Sequence, residues 1–370
     1  MPYNTRYVFV AFTVPTAANF NNNDENLDFL KTQVDTTICN GRLTLESGVP
    51  ISTSDQTAKT TLYFTPYKGN RIGLKSGSSW DLYSFTEKSL SLSGYIKGVV
   101  YDIFAYLSSG APVLESLAWK KVTASNSPTS GSGKTINISD TGDLAVGREV
   151  TVKDGANSEI TTITALVANT SITVDLANSY TTPDVYGFNT RATSLTLDDG
   201  KWVKSGATTR RYLGTIRITS TTGQCEDSRQ RRLVSNYAQP VLRMLHKSDA
   251  TATWNANGTS FGYARGQSSN RLELVIHADG LQPMVRLDAL VYPQSAGYRL
   301  EVGIGVDSPS AISGTTAYIY NGATPSNMRA TLNASLAVGF HYLAWLEKYT
   351  TGAAQFEGGD NSAIQGWHWC

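Results

Sequence analysis

Cysteine is scarce: three in 370 residues, at Cys39, Cys225 and Cys370. An odd, widely scattered set supplies neither a disulfide framework nor the paired spacing of a zinc site. Free thiols in a reducing compartment are the expectation, with one closed pair as the alternative. Charge is scarce as well. Asp, Glu, Lys and Arg make up 16% of the chain, against about a quarter in an ordinary soluble protein. The formal net charge is +1, so no global footprint for nucleic acid or an anionic membrane exists. No window approaches the ~18 apolar residues that a spanning helix needs. The four histidines, His246, His277, His341 and His368, lack a second ligand at metal spacing. The opening Met1–Pro15 is faintly like a signal peptide, but it has a short apolar run and no convincing cleavage site. It reads as a first strand.

Glycine (32) and tyrosine (19) are plentiful, and Ser, Thr and Asn accompany them. That mixture suits strands joined by tight turns and disfavours a helical protein. A chain of this length is expected to divide into two or three domains. Residues 1–40 read as a strand, a polar stretch at Asn19–Glu25 and a short helix at Leu27–Val34. They form either an anchor to a partner or part of the first domain. Residues 41–120 carry consecutive strand signals: Arg42–Leu45, Thr60–Thr65, Arg71–Leu74, Trp80–Phe85, Ser89–Ser93 and Tyr95–Leu107. Residues 121–186 differ, opening with the linker A-S-N-S-P-T-S-G-S-G-K and continuing with Thr-rich strands at Thr135–Ser139, Glu149–Lys153, Ile160–Val167 and Ser171–Leu176. They read as a small β-domain inserted in a surface loop, with 41–120 plus 187–241 forming the domain that accepts it. Residues 242–370 read as a C-terminal sandwich of jelly-roll type, with strands at Arg271–His277, Met284–Tyr292, Tyr298–Gly305, Thr316–Tyr320 and Gly339–Tyr349, and an Asn321-Gly322 turn. The expected fold class is therefore all-β: several antiparallel sandwich or jelly-roll modules, with a small β-domain inserted in the first.

The densest basic cluster lies between Leu195 and Pro240: Arg210, Arg211, Arg217, Arg229, Arg231 and Arg232, with Glu226 and Asp227 inside it. A phosphate-binding role is one reading. A salt network within or between subunits is favoured, because the acidic residues sit among the arginines. Asp198-Asp199-Gly200 reads as a turn, and Asp227–Tyr237 as a helix or an ordered loop. The W-H-W end, Trp367, His368 and Trp369, reads as an interface plug or a terminal packing anchor. Gly131-Ser132-Gly133-Lys134-Thr135 looks like a phosphate loop, but the leading glycine position holds Pro128 and a strand, not a helix, is expected to follow. A glycan hydrolase would need two carboxylates facing each other across a groove, and the sequence picks out no such pair. No catalytic, cofactor-binding or metal-ligating residues are expected, and the chain reads as non-enzymatic.

Several runs resemble tailed-bacteriophage virion proteins of the tail-fibre type. They are Gly41–Leu74 (G-R-L-T-L-E-S-G-V-P-I-S through N-R-I-G-L), Tyr101–Leu107 (Y-D-I-F-A-Y-L), Trp202–Arg217 (W-V-K-S-G-A-T-T-R-R-Y-L-G-T-I-R), Thr222–Arg229 (T-G-Q-C-E-D-S-R) and His341–Glu347 (H-Y-L-A-W-L-E). Residues 121–186 depart from it. The resemblance implies a structural virion component, a tail or neck fibre contributing to host adsorption, with a capsid decoration or head-fibre protein as the alternative. It further implies a homotrimer, attachment to other virion proteins through residues 1–40, and an outward C-terminal domain that meets a host surface glycan or protein.

Overall fold

A computed structural model describes residues 17–256, 258–293, 299–320, 326–332, 335–351 and 354–370. The expected strand within Met1–Pro15 and the Asn321-Gly322 turn lie outside the described residues. Among those residues the chain is all-β, with one α-helix, Ala17–Thr37, and multiple antiparallel sheets.

Period-two alternation produces the strands. In Thr61–Pro66, Leu62 and Phe64 turn inward while Thr61 and Tyr63 are half-buried. In Val100–Ser108 the first six residues are all buried, as expected of a strand covered on both faces. This strand lies between Ala207–Arg217 and Ala111–Ala118, in a sheet that continues through Lys201–Lys204 to Leu195–Asp198. Its core gathers Leu43, Leu62, Phe64, Ile72, Ile103, Leu213 and Ile216.

Residues 121–186 build two sheets of their own. One orders Gly131–Asn137, Ser171–Leu176 and Ala165–Val167. The other orders Asn157–Thr162, Glu149–Asp154, Asp184–Tyr186 and Lys121–Thr123. Ile136, Ile172 and Val174 from the first meet Val150, Val152 and Val185 from the second in a separate core. The C-terminal part is a two-sheet sandwich. Arg271–Ile276, Gly339–Thr351 and Arg299–Val306 form one layer, and Leu242–Ser248, Ala363–Trp369 and Met284–Pro293 belong to the other. Leu274, Trp345 and Val302 face Leu287, Phe356 and Ile364 between them.

The structure corrects three sequence expectations. The helix covers Ala17–Thr37, not Leu27–Val34 alone. Asn and Asp are weak helix formers, not excluded ones, so the polar stretch joins the helix. Asp227–Tyr237 is neither helix nor loop: it holds the short strands Arg231–Arg232 and Val234–Asn236. The first of these pairs in parallel with Arg271–Ile276, Arg231 opposite Glu273 and Arg232 opposite Leu274, so a sheet runs across position 241. Ile160–Val167 is two strands in different layers, because Ile163 turns into the core between them with 1% exposure.

Candidate binding surfaces

The arginine stretch is engaged from within the chain. Arg217 Nη2 lies 3.4 Å from Glu149 and Arg217 Nη1 lies 3.7 Å from Glu273. Its guanidinium sits 3.5 Å from the Phe340 ring centroid. Arg271 pairs with Glu149 at 2.7 Å and Glu273 at 2.9 Å. Arg231 pairs with Glu226 at 3.1 Å and reaches Glu273 at 3.4 Å. Burial alone would raise the Glu273 pKa, but Arg271, Arg217 and Arg231 outweigh it and hold the carboxyl below its ordinary value. Arg232 binds Asp227 at 2.8 Å and the Met244 carbonyl at 2.9 Å. Arg210 pairs with Glu115 at 3.1 Å and stacks 4.2 Å from the Tyr106 ring. Arg211 instead donates to the carbonyls of Thr36, Thr37, Ile38 and Gly73. Arg229 is exposed, and its backbone N–H donates to Asp55 at 2.9 Å.

The phosphate-loop look-alike is a strand, Gly131–Asn137. The Gly133 N–H and the Ser132 hydroxyl both donate to Asp175 Oδ1, at 2.8 and 2.6 Å. A carboxylate therefore already occupies the amide that a phosphate would need. Asp199 and Gly200 take φ of 48° and 75°, as a tight turn requires. Asp198 accepts from Lys75 Nζ at 2.7 Å and Trp80 Nε1 at 2.9 Å.

At the C-terminal end, strand alternation turns His368 inward, fully buried, and leaves Trp367 and Trp369 exposed at 46% and 42%. Leu242 stands opposite Trp369, and Met244 and Met284 flank Trp367 on the two neighbouring strands. Leu242 and Met284 are also exposed, so these residues form one apolar, aromatic face. A cavity of about 580 Å³ opens on it, lined in part by Met244, Met284, Arg286 and Trp367. His368 Nε2 lies 3.3 Å from the Val275 carbonyl, and burial pulls its pKa down to about 4. The Cys370 carbonyl accepts from Arg42 Nη2 at 2.6 Å and from the Val241 N–H at 2.9 Å. All three cysteines are free and buried.

A second surface was not singled out by sequence. A cavity of about 400 Å³ is lined by Thr190, Arg191, Ser194, Trp202, Tyr212, Tyr237, His277 and Asp279, among others. A neighbouring cavity of about 370 Å³ shares Trp202, Tyr212 and Tyr237 with it. Trp202 and Tyr237 line both cavities. The Tyr237 ring lies 5.7 Å from Tyr212 and meets His277 edge-on at 5.9 Å. His277 Nδ1 bonds Ser235 Oγ at 2.7 Å, and burial, with Arg191 nearby, lowers its pKa to about 3. Its imidazole is neutral at physiological pH. Arg191 bonds Asp102 at 2.9 Å, the His277 carbonyl at 2.8 Å and the Tyr212 hydroxyl at 3.3 Å. The aromatic content of Leu195–Pro240 was the available signal, but the partners arrive from positions 190 and 277–279.

The class these features define is a multi-sheet β-protein with an aromatic cleft and an exposed apolar face. No protein-family profile matches the chain, and no curated protein matches it. Among solved structures it is similar to the insecticidal delta-endotoxin Cry8Ea1 from Bacillus thuringiensis, at 7% identity and a TM-score of 0.21 over 92% of this chain and 55% of that one. It is also similar to a glycoside hydrolase family 43 arabinoxylan arabinofuranohydrolase from Bacillus subtilis, at 11% identity and a TM-score of 0.18 over 84% of this chain and 64% of that one. SGBP-B from a Bacteroides uniformis xyloglucan utilization locus aligns at 10% identity and a TM-score of 0.15, over 87% of this chain and 98% of that one. The chain thus spans between half and two thirds of the first two. TM-scores this low transfer no function.

Proposed function

We propose that this chain is a structural component of a tailed-phage virion, a tail or neck fibre protein that contributes to host adsorption. The observation that carries this reading is the exposed face of Leu242, Met284, Trp367 and Trp369 on a frame tied together by buried ion pairs. Aromatic residues displayed on a rigid scaffold are what a contact surface needs. The phage-like runs Gly41–Leu74 and Trp202–Arg217 support the virion setting. The partners in this reading are further copies of the chain in a homotrimer, other virion proteins through residues 1–40, and a host surface glycan or protein.

A capsid decoration or head-fibre role is the second reading. The helix Ala17–Thr37 favours it: Leu27 and Leu30 are exposed at 62% and 40%, which leaves apolar side chains for a lattice partner.

Cryo-EM of purified virions, with this chain fitted into density, tests the assignment. Density at the tail, collar or baseplate is the expected result. Density on the capsid surface moves the protein to the second reading, and absence from the particle overturns both.

A further inference from the structure

We infer that the cleft around Trp202 and Tyr237 is a binding site for a neutral oligosaccharide. The choice of bacterial surface glycans as probes rests on the adsorption reading, whereas the cleft itself is separate from the Trp367–Trp369 face.

Shape comes first. Two cavities of about 400 and 370 Å³ share Trp202, Tyr212 and Tyr237. Each lies within the usual range of small-ligand sites, about 300–1,000 Å³. The shared side chains set the two cavities side by side along one aromatic wall. A linear ligand of two or more ring-sized units matches that form better than one compact molecule.

The wall is pre-organised. Trp202 sits on a strand paired on both sides, Tyr237 packs on Tyr212 and His277, and the Tyr237 N–H is held by the Leu213 carbonyl at 2.9 Å. Trp202 and Tyr237 are only half-buried, so ring surface remains for a ligand. Rigid, flat, amphipathic side chains match the C–H face of a pyranose and leave its hydroxyls for polar neighbours. Ser194 and Asp279 supply such neighbours in one cavity, and Asn40 and Gln239 in the other.

Charge then selects among ligands. Arg191 pairs with Asp102 and is further held by the His277 carbonyl. Lys201 Nζ donates to the Asp199 carbonyl and lies 4.6 Å from the Trp80 ring. His277 is neutral. The cations at the cleft, Arg211 included, are thus held by oxygens of the chain itself, and Asp279 adds a negative charge in the first cavity. A peptide cannot add as a strand to the Trp202 strand itself, which is paired on both sides, with Leu195–Asp198 and Ala207–Arg217.

The test uses the purified full-length chain on an array of neutral and acidic bacterial surface glycans. Calorimetry and tryptophan fluorescence follow, with chitotetraose, maltotetraose and the neutral array hits. The expected result is saturable binding of a neutral oligosaccharide, with Kd on the order of 1 mM or tighter. Trp202→Ala and Tyr237→Ala should weaken it at least ~10-fold, equivalent to ~1.4 kcal/mol. Tyr237→Phe should retain most of the stacking. Ser194→Trp provides a block at an exposed rim position, so loss of binding there, with unfolding unchanged, excludes a folding defect as the cause. The inference is overturned if no neutral glycan binds, if acidic glycans or peptides bind in preference, or if binding survives both Ser194→Trp and Trp202→Ala.

Discussion

Arg211 is the residue on which the N-terminal helix depends. It is 7% exposed and donates to four main-chain carbonyls, three of them at the helix end: Thr36, Thr37 and Ile38. A cation there also complements the negative end of the helix dipole. Arg211→Ala removes these donors from carbonyls at a buried junction, and is expected to cost ~2–4 kcal/mol in urea unfolding. It should also expose residues 17–40 to protease before the rest of the chain. Gly73→Ala should reproduce this, since an added Cβ would lie 2.0 Å from the Thr36 carbonyl oxygen. The cysteines give a second prediction at this scale. Burial raises the pKa of Cys39 and Cys225, and raises that of Cys370 to about 11. A thiolate reagent should therefore leave the native protein unlabelled and titrate all three free thiols after denaturation. Fast labelling of the native chain would contradict the packing.

At the scale of elements, two strands carry a pH dependence. His277 follows Arg271–Ile276 and His368 lies in Ala363–Trp369. Both are buried, with pKa values lowered from 6.5 to about 3 and about 4. Between those values and 6.5 the unfolded chain binds protons that the native chain does not. Stability is therefore fully present above pH 6.5 and declines as pH falls toward 4. Carboxylates held low, such as Asp249 at about 2, act in the same direction at lower pH: their contribution is present above the ordinary value of 3.8 and is lost only below it. Urea midpoints should thus begin to fall between pH 6.5 and 4.5, before the carboxylates titrate. His277→Gln should flatten part of that slope. A midpoint constant from pH 7.5 to 4.5 would refute the assignment.

Across the whole molecule, one ion cluster joins three parts of the sequence. Glu149 comes from the 121–186 segment, Arg217 from the end of strand Ala207–Arg217, and Arg271 and Glu273 from the C-terminal sandwich. Removing Glu149 leaves Arg217 and Arg271 to share Glu273, with an uncompensated positive charge in a buried cluster. Glu149→Gln is expected to destabilise by ~2–4 kcal/mol. It should also loosen the 121–186 segment, read as faster amide exchange in Glu149–Asp154. An unchanged exchange rate would mean that the segment is held by its other contacts, such as Lys120–Asp140 at 2.6 Å.

The strands of this chain were legible because alternation is local: Leu62 and Phe64 announce Thr61–Pro66 within six residues. The all-β class followed from composition and turn residues for the same reason. The ion-pairing of Glu226 and Asp227 was also readable, since Arg231 and Arg232 lie five positions away. What failed was non-local. Within Asp227–Tyr237, Arg231–Arg232 took its pairing from Glu273 and Leu274, more than forty positions on, and no local pattern encodes a parallel partner. The aromatic cleft stayed invisible because Arg191, Trp202, Tyr237 and His277 are brought together only when the sheets close. Sequence alone determined the strand content and the near-neutral surface, because both are sums over neighbouring residues. The tertiary structure decided which charges meet and where a cavity forms, because both depend on contacts between segments far apart in the chain.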